Sequence, residues 1–235
     1  MDFGDDCMNK IALVTGASKG IGYTLSNMLF NMGYKVIGVY NNTLIDNKDI
    51  DAFKCDLSSE EDIIKLFNYV KDKYHKIDVL INGAALSLDN YLEDKTKGEF
   101  MKVLEINLVA PFLLIKYFSN IMDNGVIINI ASTNGDNTYS SISMDYDASK
   151  AGLINLTKNL SSYLTNIKVC AIMPNWVDTD TTLSIDKDYL NNELKRIGQK
   201  ELIKKEDVCN KIIDIINNDN IKTGSIIRMD DGYEE

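Results

Sequence analysis

Seven short, β-rich apolar runs recur along the 235 residues, and amphipathic stretches separate most of them. They are Ile11–Thr15, Lys35–Tyr40, Ala52–Cys55, Ile77–Ile81, Val126–Ile130, Ile167–Ile172 and Ser225–Met229. Strands that alternate with helices build a parallel sheet covered on both faces, and near-continuous hydrophobicity is what such strands require. The expected class is α/β, a doubly wound parallel sheet of about seven strands. Helical patterns run over about 20–31, 59–73, 96–122, 146–163 and 205–217, and Ser58 with Glu61 has the spacing of a capping box. The connection 41–51 is too short for the full helix that a parallel crossover normally carries, so a loop or a single turn is expected there. No repeat, low-complexity tract or linker divides the chain, and the two prolines, Pro111 and Pro174, do not split it. One domain over 10–235 follows, preceded by an acidic extension over 1–9.

Composition narrows the function. Thirty-five acids against 25 bases leave a formal charge of -10, which repels nucleic-acid backbones and anionic membrane surfaces. No apolar run approaches the roughly 20 residues of a membrane span, and the acidic start is unlike a signal peptide, so a cytoplasmic location is expected. The four cysteines, Cys7, Cys55, Cys170 and Cys209, form no C-x-x-C pair and read as buried, reduced thiols. A lone histidine, His75, sits in a polar stretch and reads as a solvated loop residue. It rules out a histidine-based metal cluster, and any Ser-His-Asp triad would have to use it.

The first strand runs directly into Thr15-Gly-Ala-Ser-Lys-Gly-Ile-Gly22 and then a helix. Glycines at 16, 20 and 22 remove Cβ atoms where the backbone turns tightly and approaches a pyrophosphate, whose charge meets the helix N-terminus. Such a loop suits a Rossmann-type dinucleotide fold. Farther on, Tyr146 and Lys150 are four residues apart on a helix and therefore share a face. A phenol near pKa 10 is a poor acid or base at neutral pH, and a neighbouring ammonium and an oxidised nicotinamide both favour its ionised form. Lowering it by two or three units takes about 3 to 4 kcal/mol, and Lys150 is placed to supply much of this.

With these motifs the chain resembles the short-chain dehydrogenase/reductase family from about Lys10 to Gly232. Its glycine loop fits T-G-x-x-x-G-x-G, Asn82-Gly-Ala-Ala85 stands where N-N-A-G is usual, and Tyr146-Asp-Ala-Ser-Lys150 fits Y-x-x-x-K. Ser132, fourteen residues before Tyr146, and Asn107, in Ile106-Asn-Leu-Val-Ala-Pro111, match the remaining catalytic positions. The resemblance implies Tyr146 as general acid in carbonyl reduction, Ser132 as hydrogen-bond partner of the substrate oxygen, and Lys150 as a ribose contact. Asn107 would hold a water that relays protons. It implies cofactor contacts from Gly16, Ser18, Lys19, Gly20, Ile21, Gly22, Asn41, Asp56, Leu57, Asn82, Gly83 and Ala84, besides Tyr146 and Lys150. Pro174-Asn-Trp-Val-Asp-Thr179 matches P-G-x-x-x-T, which adds Pro174, Val177 and Thr179. Asn175 replaces the motif's glycine, a change the backbone tolerates because asparagine enters left-handed space more readily than other residues. Asp231 likewise stands where the closing strand usually has glycine.

An acid at the end of the second strand would accept hydrogen bonds from a ribose 2′-hydroxyl and repel a 2′-phosphate. The chain has Tyr40-Asn-Asn-Thr43 instead, with Lys19 in the glycine loop, so NADP(H) is favoured over NAD(H). No metal is implied. The resemblance assigns substrate choice to a lid over about 180–205 and implies a homodimer or homotetramer paired through 96–122 and 146–163. In shape the chain is closest to 3-oxoacyl-[acyl-carrier-protein] reductases. Yet those enzymes meet their carrier with basic residues before the fifth and sixth strands, where this chain has Asp123-Asn124 and Thr165-Asn166. A small carbonyl or alcohol substrate is therefore preferred. The alternatives are the carrier-protein reductase role and a dinucleotide sensor without turnover, which would need the glycine loop but not the Ser132, Tyr146 and Lys150 set.

Overall fold

All seven strands lie in one parallel sheet, in the spatial order β3-β2-β1-β4-β5-β6-β7. The computed structural model describes residues 10–230. Its strands are β1 (Ile11–Thr15), β2 (Lys35–Tyr40), β3 (Asp51–Lys54), β4 (Val79–Asn82), β5 (Val126–Ile130), β6 (Lys168–Pro174) and β7 (Ile226–Met229). Each expected strand is present: β1, β2 and β5 end as expected, and one or both ends of the other four differ by one or two residues. The order reverses between β1 and β4, so the chain leaves those two strands in opposite directions and opens a crevice beyond their carboxyl ends.

Alternate residues of each strand feed opposite cores. Ala12 and Val14 pack with α1 (Gly20–Asn31) and α8 (Lys205–Asn217) on one face. Ile11 and Leu13 face α2 (Glu60–Tyr74) and α4 (Ala110–Phe118) on the other. This period-two division is the reason the strands read as unbroken apolar runs.

Several local expectations are corrected. The cap of α2 is Ser59, whose hydroxyl accepts from the Asp62 N–H, while Ser58 donates to the Asp56 carboxylate. A reciprocal capping box lies instead at Thr96 and Glu99, opening α3 (Lys97–Leu104). The helix expected over 96–122 is broken: a π turn, Glu105–Val109, separates α3 from α4, and a 3-10 turn closes it at Ser119–Ile121. His75 is exposed but is the left-handed C-cap of α2 at φ 64° rather than part of a free loop.

The 41–50 connection is a loop that packs on the α1 face. Gly38 permits this, because a Cβ there would lie 2.5 Å from Ile45 Cδ1 and 2.8 Å from Ile50 Cγ2. The loop is pinned to α1 by Tyr23 donating to the Asp46 carbonyl and Asn47 donating to the Asn27 side chain. The long helix α5 (Met144–Tyr163) starts two residues earlier than expected. After β6, the segment 180–196 forms two helices, α6 (Asp180–Leu183) and α7 (Lys187–Arg196). Cys55, Cys170 and Cys209 are buried and unpaired, whereas Cys7, the 1–9 extension, Asp231 and Gly232 lie outside the described residues.

Candidate active site

The crevice at the switch point is a cavity of about 600 Å³. One end is built by close backbone packing. The Thr15 hydroxyl donates to the Ile81 carbonyl and accepts from the N–H groups of Gly83 and Ala84, drawing the loop after β4 against the glycine loop. Gly16 sits at φ 71°, and a Cβ there would lie 2.9 Å from Ala84 Cα. A Cβ on Gly22 would run into the Gly16 carbonyl. The first turn of α1 has neither a side-chain cap nor an acidic residue, so its amide N–H groups stay available to an anion. Lys19 stands at that N-terminus, exposed, and among the described residues its ammonium has no ion-pair or hydrogen-bond partner. A cradle of close backbone beside an uncapped helix end fits the diphosphate of a dinucleotide.

The expected cofactor contacts Gly16, Ser18, Lys19, Gly20, Ile21, Gly22, Asn41, Asp56, Leu57, Gly83, Ala84, Pro174, Val177 and Thr179 all line this cavity, as do Ser132, Tyr146 and Lys150. Asn82 and Asn107 do not. Asn82 lies behind the wall, donating to Asn129 Oδ1 at 2.7 Å, and Asn129 donates to Thr157 at 2.9 Å. These bonds tie β4 and β5 to α5. Asn107 is fully buried in the π turn, where its carboxamide accepts from the Leu86 N–H and donates to the Leu86 carbonyl and to Ser149. It therefore joins the loop after β4 to α5. Asn175 is not left-handed: it extends β6, with its N–H donated to the Met229 carbonyl. Pairing with β7 supplies the geometry that a special conformation was expected to provide.

At the opposite end, the hydroxyls of Ser132 and Tyr146 share a hydrogen bond. Lys150 Nζ lies 5.3 Å from the Tyr146 ring centroid and donates to the Ile130 carbonyl at 2.7 Å. Asp147 accepts from Asn134 Nδ2 at 2.8 Å and from the Ser140 N–H at 2.9 Å, which holds the segment after Ser132 against α5.

In the protein by itself, burial dominates the electrostatics of this pair. Burial pushes the Tyr146 phenol up to about 12, with the Asp147 and Asp89 carboxylates adding to it and the Ser132 hydrogen bond opposing it. Burial also pulls Lys150 down to about 8. Burial thus disfavours both charged forms. Sequence reasoning missed Asn129 and Thr15 as supports, although an asparagine inside the apolar run of β5 was a visible signal. It also passed over Asp89 and Asn134, which line the same cavity, whereas Tyr189 and Glu193 of the expected lid line it too.

A family model described as short chain dehydrogenase matches residues 10–190. Carbonyl reductase family member 4 of Xenopus laevis is 30% identical over 240 residues, covering 97% of this chain and 99% of that relative. The 3-oxoacyl-[acyl-carrier-protein] reductase MabA of Mycobacterium tuberculosis is 27% identical, covering 96% of this chain and 93% of the relative. A Burkholderia cenocepacia short chain dehydrogenase solved in complex with NADP superposes with a TM-score of 0.88 at 22% identity, covering 97% of this chain and 98% of that one.

The lowered Lys150 makes stability depend on pH. Its ammonium is disfavoured in the folded state, so its burial opposes folding below about pH 8, and the penalty is relieved as pH climbs towards the unfolded value of 10.5. Lys150→Met is expected to stabilise the cofactor-free protein at pH 7 by up to about 3 kcal/mol. The gain should fade near pH 10, as read by urea unfolding at both pH values.

Proposed function

The chain belongs to the short chain dehydrogenase family, and we propose that it interconverts a small carbonyl compound and its secondary alcohol with NADP(H), Tyr146 acting as acid and base. Members of the family are NAD(P)-dependent oxidoreductases acting on CH–OH or C=O groups. The observation that carries the reading is that Tyr146, Ser132 and Lys150 line one cavity with the glycine cradle.

In this reading the Tyr146 phenol gives a proton to the carbonyl oxygen and recovers one on the reverse path. Ser132 donates a hydrogen bond to the same oxygen and stabilises the charge that develops there. The bound dinucleotide supplies the hydride. Lys150, with a pKa of about 8, gains or loses its proton near neutral pH and so is suited to charge compensation beside the phenol. Asn107 anchors the cavity wall through Leu86.

Three features support NADP(H) over NAD(H). No carboxylate ends β2, Asn41 and Asn42 line the cavity beside Lys19, and Asp56 turns one carboxylate oxygen onto Ser58. The Burkholderia neighbour binds NADP. The substrate end presents Ser87, Asn134, Ser140, Trp176 and Tyr189, a mixed polar and aromatic lining that suits a small molecule. Helices α6 and α7 serve as the lid of the single domain. The MabA relative acts, by its name, on acyl-carrier protein, but the acidic and neutral residues 123–124 and 165–166 do not favour an acidic carrier here. Exposed Met101, Val109 and Phe112 along α3 to α4 support pairing of copies through that face. No helix among the described residues is long and apolar enough to cross a membrane.

Tyr146→Phe is expected to lower kcat about 10²- to 10⁴-fold on any ketone turned over while leaving the Kd for NADPH within about threefold, by stopped-flow and calorimetry. Retained turnover would remove Tyr146 from proton transfer. NADPH should bind at least about tenfold more tightly than NADH, and Lys19→Glu should erase that difference in the same calorimeter. Light scattering at micromolar concentration is expected to give the mass of a dimer or tetramer, and a monomer would refute the pairing.

A further inference from the structure

A buried ion pair stands directly behind the proposed acid. Lys95 Nζ lies 2.9 Å from Asp145 Oδ2, with the two side chains 4% and 0% exposed. Among the described residues it is the one ion pair with both side chains under a tenth exposed. Burying both charges is costly unless their polar atoms find partners, and here two of the three ammonium N–H bonds and both carboxylate oxygens do. The Lys95 ammonium also donates to the Leu88 carbonyl. Asp145 Oδ1 accepts from the N–H of Tyr146 at 2.9 Å, within the uncapped first turn of α5.

The pair is the inner stitch of a seam between two site walls. Outside it, the Asn90 N–H donates to the Ile142 carbonyl at 2.9 Å, and the Ser143 hydroxyl donates to Asp89 at 2.7 Å. Asp89 and Ser143 line the cavity. One side of the seam therefore carries the loop after β4, and the other carries the turn that aims Tyr146.

We infer that Lys95 is a positioning residue of the reaction, which neutralises Asp145 and fixes the first turn of α5 against the loop after β4 so that the Tyr146 phenol is held towards Ser132. This rests on the reading of Tyr146 as proton donor. The charged groups around the phenol are Asp147 and Lys150 on α5, Asp89 on the loop after β4, and the Glu193 and Arg196 pair on α7, which lines the same cavity. Against Asp147 and Asp89, which already oppose phenolate, a bare Asp145 would add a third negative charge. A bare Lys95 would do the opposite.

A mutant cycle on the full-length protein tests this with NADPH and a ketone that the wild type reduces. Lys95→Met is expected to lower kcat about tenfold or more per NADPH-binding site and to move the basic limb of the pH profile up by about half a unit. Asp145→Asn should move that limb down. The double variant, Lys95→Met with Asp145→Asn, should return the limb to the wild-type position and recover kcat to within about threefold. Melting should fall by roughly 5 to 10 °C in each single variant and less in the double.

Equal shifts of the limb in both singles, or a double variant whose losses simply add, would overturn the inference. So would a Lys95→Met enzyme with wild-type kcat. If Lys95→Met yields no folded protein, Asp145→Asn and the double variant still decide it, because a limb that is the same in both rejects the electrostatic role. A wild type that turns over no carbonyl or alcohol fails the proposed function instead, which separates the two outcomes.

Discussion

At the switch point of the sheet, the Thr15 hydroxyl takes two backbone N–H groups from the loop after β4 and gives its own proton to Ile81. Three backbone groups are satisfied by one short side chain at the bottom of a crevice, where water would otherwise have to serve them. The glycine loop can then lie against Ala84 at a distance no Cβ allows. The crevice, the bare end of α1 and the entry to the loop carrying Leu86 to Asp89 all take their positions from that contact. The cradle is thus made of backbone, and side chains enter chiefly to hold it.

The acid end is organised on the opposite principle. A phenol and an ammonium are placed where solvent is scarce, so each resists its charged form. Desolvation of this kind opposes folding and makes the two protonation states sensitive to whatever charge arrives beside them. The surrounding hydrogen bonds restrain the pair: Lys150 on the Ile130 carbonyl, Asp147 on Asn134 and Ser140, and Asn107 between Leu86 and Ser149. Stability has been exchanged for readiness, as functional sites commonly do.

The sheet was legible in the sequence because strands covered on both faces are apolar throughout, and the turn after β1 declared itself through its glycines. Tyr146 and Lys150 were legible as a pair because residues four apart on a helix share a face, whereas Ser132, which lines the same cavity, was legible only through the family's motif. Less visible were features that depend on partners far along the chain. Ser58 and Ser59 compete for one cap, and only the Asp56 carboxylate, which draws Ser58 aside, decides between them. Asn175 looked like a left-handed residue until β7 paired with its N–H. Spacing showed that Lys150 stands near the phenol but not that burial of the protein's own site opposes the ionised form. The ion pair of Lys95 and Asp145 spans fifty residues, so neither partner hinted at the other.

The π turn at Glu105–Val109 holds one more residue per turn than the α-helices it joins. The wider turn takes up that extra residue within one revolution, so the helix beyond it keeps the phase of the helix before it. Leu114, Ile115 and Phe118 are thereby buried against the sheet, while Asn107 inside the turn reaches Leu86. The wide turn acts as a phase adjuster: it lets one continuous rod present an amide inward at one level and a greasy stripe inward at the next. Without the wide turn, the extra residue would rotate that stripe by about 100° and carry Asn107 away from Leu86.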